Sequence, residues 1–215
     1  MDLSSVHRLT SVDEIRAVIG EPAAVVCSKI TDRLNDLTRT FIEHSPFVLL
    51  ATADAEGRCD VSPRGDPKGF VRIHDRTLLV PERPGNKIAD SLRNLIDTGR
   101  IGMLFLLPGL GETFRVNGPA FITDDSELLA PIICEDRVPK LGTIVEIEEA
   151  YTKCPKAFLR SHLWNPSQFQ TNEALPSAGE ILRRINVDRD ADSDFDAAAY
   201  DTARADRYAR RDGFY

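Results

Sequence analysis

Cysteine is scarce in this 215-residue chain: Cys27, Cys59, Cys134 and Cys154 stand far apart, and no two form a CxxC pair. That spacing excludes a disulfide scaffold and a dithiol redox motif. Long apolar runs are missing too. The longest, Ile101 to Leu107, falls far short of the roughly 20 residues a membrane-spanning helix needs. Asp2 and the lack of an early apolar stretch leave no readable secretory leader, so a reduced, cytoplasmic protein without a membrane partner is expected. Positive charge is in deficit, with 27 Lys+Arg against 34 Asp+Glu and a net charge of −7. Such a balance argues against a nucleic-acid partner held by phosphate contacts.

Several catalytic signatures are absent as well. There is no GxSxG, no Walker loop and no HExxH. Gly109-Leu110-Gly111 lacks the third glycine of a dinucleotide fingerprint. His7, His44, His74 and His162 share no ligand spacing with the cysteines, so no metal site is expected. The ladder Asp188, Asp190, Asp192, Asp194, Asp196 has Ser193 where a calcium loop needs glycine and Ala199 where it needs glutamate. It reads as a solvated acidic tail.

What is present is a 42% hydrophobic content, enough for one globular domain with appendages. Ser11 and Glu14 form a capping box for a short helix ended by Gly20 and Pro22. Val26, Ile30, Leu34, Leu37 and Phe41 recur at helical spacing and predict a second helix over 23–43. Strand patterns follow: Phe47 to Thr52, Arg58 to Arg64, a hairpin with strands Gly69 to His74 and Thr77 to Val80, then Ile101 to Leu107, Glu112 to Thr123, and Thr143 to Ala150. Between them Asn86 can cap a helix with Ile88, Leu92, Leu95 and Ile96 on one face, closed by Gly99. Pro155 opens a short helix reaching Trp164. The fold expected is mainly β with flanking helices, a small barrel or curved sheet of about six antiparallel strands. The expected organisation is a helical segment 1–44 packing on the barrel, the barrel 45–165, and a loop and mobile acidic tail 166–215 with eight Asp and five Arg from Asn186 onward.

Cationic and hydroxyl groups gather where a phosphate could be held. Period-two alternation puts Asp60, Ser62 and Arg64 on one strand face, and Thr113, Arg115 and Asn117 on another. Arg83 and Lys87 bracket the helix entry at Asn86, whose free N–H groups and dipole favour an anion. Each residue also has a plainer role. Asn86 serves as a cap, Lys87 as a solvated first-turn residue, Arg64 as a partner of Asp66, and Arg115 as part of a polar sheet face.

The segments 45–54, 60–70 (with Ser62-Pro63-Arg64-Gly65-Asp66-Pro67), 80–87 and 112–118, in this order, resemble the pyridoxamine 5'-phosphate oxidase-like flavoproteins over roughly residues 40 to 165. The resemblance implies an FMN-binding split β-barrel homodimer with the cofactor at the subunit interface. It implies that Arg64 with Ser62, and Asn86 with Lys87 assisted by Arg83, hold the flavin phosphate. Thr113 and Arg115 would lie nearby, with Arg160 and Trp164 reaching in, from the partner chain in one arrangement. Trp164 serves equally well as a core anchor.

The vitamin B6 oxidase itself carries a C-terminal Arg and His for its substrate. No histidine follows His162 here, so the resemblance does not extend to that substrate. The activity implied is an FMN-dependent oxidoreductase taking electrons from a small molecule or NAD(P)H, with no residue named as acid or base. Two alternatives fit the same fold: a deazaflavin-dependent reductase, and a flavin- or haem-binding module without turnover.

Overall fold

The computed structural model describes residues 1–85, 87–171, 174–189 and 194–215. Eight strands, all paired antiparallel, carry the fold: β1 (Phe47–Ala53), β2 (Cys59–Gly65), β3 (Arg72–His74), β4 (Thr77–Glu82), β5 (Arg100–Leu106), β6 (Thr113–Thr123), β7 (Leu141–Glu146) and β8 (Glu149–Lys153). Their order is β2-β1-β5-β6-β7-β4-β3, with β8 also on β6. The expected last strand is thus two, turning between Glu146 and Glu149.

β6 is the shared wall. Its first half pairs with β5 and β8, and its second half with β7. The switch falls at Gly118-Pro119, where a Cβ on Gly118 would lie 1.8 Å from the Glu146 carbonyl oxygen. Only glycine permits that approach. Period-two alternation sends Val48, Leu50, Met103, Phe105, Phe114 and Val116 into a common core, all at most 1% exposed.

Helices cover the barrel ends. α3 (Asp36–His44) inserts Ile42 fully and stacks Phe41 on Phe114 with ring centres 5.6 Å apart. The single helix expected over 23–43 is instead α2 (Ala24–Cys27) and α3, with turns, bends and a single bridge at Thr31 between them. Two local effects break it: the Asn35 side chain caps α3 in a capping box with Thr38, and Thr31 exchanges backbone hydrogen bonds with Ala150 at 3.1 and 2.7 Å. α1 (Val12–Ile19) has the expected Ser11–Glu14 box but buries no residue.

α4 (Asp90–Thr98) also departs from expectation. Lys87 and Ala89 adopt positive φ of 65° and 61°, so the helix starts at Asp90, with Ala89 at the cap position. The inward face is Ser91, Asn94 and Leu95, while Ile88 and Ile96 are exposed. Asn94 Nδ2 donates to Thr52 Oγ1 at 3.0 Å, so buried polar partners rather than an apolar stripe seat this helix on β1. After α5 (Ser126–Leu129) and α6 (Lys156–Ser161), the tail expected to be mobile holds α7 (Ala178–Asp188) and α8 (Ala197–Ala209). They join where the Gly179 N–H donates to Asp201 Oδ1 at 2.9 Å; the Ser177 hydroxyl, ahead of that bond, draws the Asp201 carboxyl below its ordinary range. Asp190, Asp192 and Ser193 of the acidic ladder lie outside the described residues.

Candidate functional site

No ladder joins β2 to β4 among the described residues, which leaves a seam in the barrel wall. Two ion pairs cross it. Arg64 Nε on β2 meets Glu82 Oε2 on β4 at 2.8 Å, and Glu82 Oε1 also accepts from Thr143 Oγ1 at 3.1 Å. Just beyond the strand ends, Arg83 Nε meets Asp66 Oδ2 at 2.7 Å, and Arg83 Nη2 donates to the Ile132 carbonyl at 3.0 Å. All four side chains are largely buried, between 3% and 18% exposed. Arg64 is therefore matched with Glu82, and Asp66 with Arg83, in place of the Arg64–Asp66 pair that sequence proximity suggests.

A cleft of about 1480 Å³ opens along this seam. Its walls are the end of β2, residues 81–85 and 87–89, the first turn of α4, residues 137–141, Arg207, Tyr208 and residues 212–215. On β2 the alternation holds: Asp60, Ser62 and Arg64 face in while Cys59, Val61 and Pro63 are exposed. Asp60 Oδ2 accepts from Ser62 Oγ at 2.9 Å and Ser91 Oγ at 2.6 Å, which fastens the first turn of α4 to β2. Ala89 supplies no side-chain cap. The first-turn N–H groups of α4, which no helix can satisfy internally, thus face the cleft beside Lys87, whose ammonium has no partner among the described residues. The positive φ values of Lys87 and Ala89 cost on the order of 1–3 kcal/mol each, strain of the kind that persists at ligand sites.

These features fit a phosphate: first-turn N–H groups at a positive helix end, the ammonium groups of Lys87 and Lys140 in the lining, and an arginine at its edge. Ser62, Arg64, Arg83 and Lys87 all line the cleft. Asn86 lies outside the described residues. The other four sequence candidates stand elsewhere. Thr113 is buried in β6, and Arg115 Nη1 donates to the Tyr151 hydroxyl at 3.2 Å. Trp164 Nε1 donates to the Leu110 carbonyl at 2.7 Å and stacks on Phe158, while Arg160 is exposed on α6. None of the four lines the cleft of its own chain.

Sequence reasoning missed Glu82 as the partner of Arg64, and it missed Tyr215. The Tyr215 ring lies 5.2 Å from the Arg83 guanidinium, and its carbonyl accepts from Arg137 Nη1 at 3.0 Å. Its phenol is pushed up to about 12, first by hydrogen bonding to Cys134, then by burial and by Asp66. No local pattern announces a contact across so many residues.

A family model described as pyridoxamine 5'-phosphate oxidase matches residues 34–162, more than half of the chain. The protein belongs to the pyridoxamine 5'-phosphate oxidase-like split-barrel family. Flavin binding is common in this split-barrel family, and the match spans β1 to β8. No curated protein matches the chain in sequence. Among solved structures, HupZ of Group A Streptococcus is similar at 20% identity and a TM-score of 0.46, covering 55% of this chain and 93% of its own. General Stress Protein 26 of Bacillus anthracis is similar at 15% identity and a TM-score of 0.42, covering 54% and 89%. The haem storage protein HutZ of Vibrio cholerae is similar at 18% identity and a TM-score of 0.41, covering 56% and 94%.

Proposed function

We propose that this split-barrel protein is an FMN-dependent oxidoreductase working as a homodimer, with the flavin phosphate held at the start of α4. The observation that carries the reading is the uncapped first turn of α4, opening into the cleft beside unpaired Lys87 and the inward-facing Ser62. Lys87 would supply the full positive charge a phosphate dianion requires, and the α4 N–H groups the hydrogen bonds, with Ser62 joining them once its hydroxyl turns from Asp60. Arg64 would contribute only those N–H groups not engaged by Glu82 and the Pro63 carbonyl. Asp60, which fixes Ser62 and Ser91, acts as a positioning residue.

In the proposed homodimer the second chain would complete the cleft, whose volume of about 1480 Å³ exceeds the roughly 300–1,000 Å³ usual for a small-molecule site. Arg160 and Trp164, which do not reach the cleft of their own chain, would be contributed across that interface, whereas Thr113, 3% exposed, stays inside β6. Bound FMN would supply the electron transfer, passing a pair from a small donor or NAD(P)H to an acceptor. The visible spectrum of the purified protein, with mass analysis of what heating releases, tests the reading. Released FMN that NADPH or NADH bleaches supports it, and a colourless protein that takes up no added FMN removes it.

A further inference from the structure

The end of α8, with Arg207 and Tyr208, and residues 212–215 beyond it line the cleft, and the contacts that hold the segment there converge on Tyr215. The ring lies over the Arg83 guanidinium at 5.2 Å and 5.7 Å from that of Arg211. Arg137 Nη1 holds the carbonyl at 3.0 Å, and Arg211 Nη2 pairs with Glu135 Oε1 at 2.5 Å. The turn is built locally: Asp212 N–H donates to the Arg207 carbonyl at 2.9 Å, and Phe214 N–H to the Arg211 carbonyl at 3.2 Å. Arg211 and Gly213 take positive φ of 57° and 76°, which reverses the chain after α8. With Asp66 on Nε, the Ile132 carbonyl on Nη2 and Tyr215 over its face, Arg83 is enclosed, and its side chain is only 13% exposed.

We propose that residues 211–215 form a latch over one end of the cleft, anchored by Tyr215 on Arg83 and Arg137, and that a phosphate-bearing ligand competes with this latch. The inference rests on reading the cleft as a ligand site. Tyr215 covers the face of Arg83 and takes Nη1 of Arg137, so an anion entering this end meets both guanidinium groups fully only as Tyr215 moves aside, and latch and ligand draw on the same two groups. The population of the open form then sets the apparent affinity.

Two measurements on the full chain test this, wild type against Tyr215→Ala. In hydrogen exchange without ligand, the amides of Asp212 and Phe214 should be protected in the wild type and lose protection in the variant, with β1 and β5 unchanged as the folding control. Equal exchange in both proteins overturns the latch. Inorganic phosphate should accelerate exchange of the same amides in the wild type, and no change overturns the competition. In FMN titration by fluorescence, the variant should bind about tenfold more tightly and faster. Weaker or slower binding overturns the proposal, because the segment would then be a supporting wall. Failure of both proteins to take up FMN sinks the flavin reading, while the exchange data with phosphate still decide the latch.

Discussion

Arg64 and Lys87 both line the cleft, yet their removal has different consequences. Arg64→Ala leaves the Glu82 carboxylate, only 10% exposed, with Thr143 as its remaining partner. That change should cost about 1–3 kcal/mol of stability, seen as a melting temperature lower by about 2–4 °C per kcal/mol. Lys87→Ala breaks no contact, so it should leave the melting temperature within the range of an ordinary surface change, about ±0.5 kcal/mol. It should weaken FMN binding by about 1.5–3 kcal/mol, the range for a charged hydrogen bond. An FMN titration that returns wild-type affinity for Lys87→Ala sinks the phosphate assignment. Tyr215 makes a pH prediction. Its phenol rises from 10 to about 12 in the folded protein, so the docked state is fully favoured below pH 10 and loses that support as pH climbs through about 12. Of the four tyrosines, one should ionise late by tyrosinate absorbance, and Tyr215→Phe should abolish that component.

Elements differ in how far they answer to local signals. The Ser11–Glu14 box formed where the pattern placed it, yet α1 buries nothing. Ser11→Ala should therefore reduce helical circular dichroism slightly, by a cap worth about 1 kcal/mol, while the barrel melts unchanged. β2 was legible because period-two alternation is a property of the extended chain itself. α4 was not: the apolar spacing of Ile88, Leu92, Leu95 and Ile96 implied one face, and docking selected Ser91, Asn94 and Leu95, whose neighbours on β1 and β2 offered hydrogen-bond partners. Gly118 reads in sequence only as an interruption. At the element scale it is the point where β6 changes partners, and Gly118→Ala should cost about 1–3 kcal/mol or more by overpacking against Glu146. Thermal denaturation indistinguishable from wild type would contradict that account.

At the scale of the molecule, the seam between β2 and β4 explains why cleft and ion pairs coincide. A barrel without a ladder there needs other bonds to hold its edges, and Arg64–Glu82 and Arg83–Asp66 provide them. The same opening would admit the proposed ligand to the start of α4. The candidate residues divide between this cleft and Thr113, Arg115, Arg160 and Trp164, which stand away from it, and in the proposed homodimer Arg160 and Trp164 would come from the second chain. Sedimentation should accordingly show twice the chain mass, and mixing an Arg160→Ala chain with a Lys87→Ala chain should restore about a quarter of the sites, since about half of the dimers are then mixed and one of the two sites in each mixed dimer keeps both residues intact. A monomer that binds FMN normally would refute the shared site.

The alternating strands, the cap at Ser11 and the β2 face carrying Ser62 and Arg64 were readable in the chain alone, because they depend on neighbours within a few residues, and the family was readable because four segments keep their order along it. Which carboxylate meets which arginine, where α4 begins, and that Tyr215 lies on Arg83 came from the folded molecule. Those outcomes depend on contacts between residues far apart in the chain: the closure of the barrel, the strained backbone at Lys87 and Ala89, and the return of α8 to the cleft. Pairing a buried charge is a global requirement, met by whichever partner the fold brings near, and no local spacing encodes it.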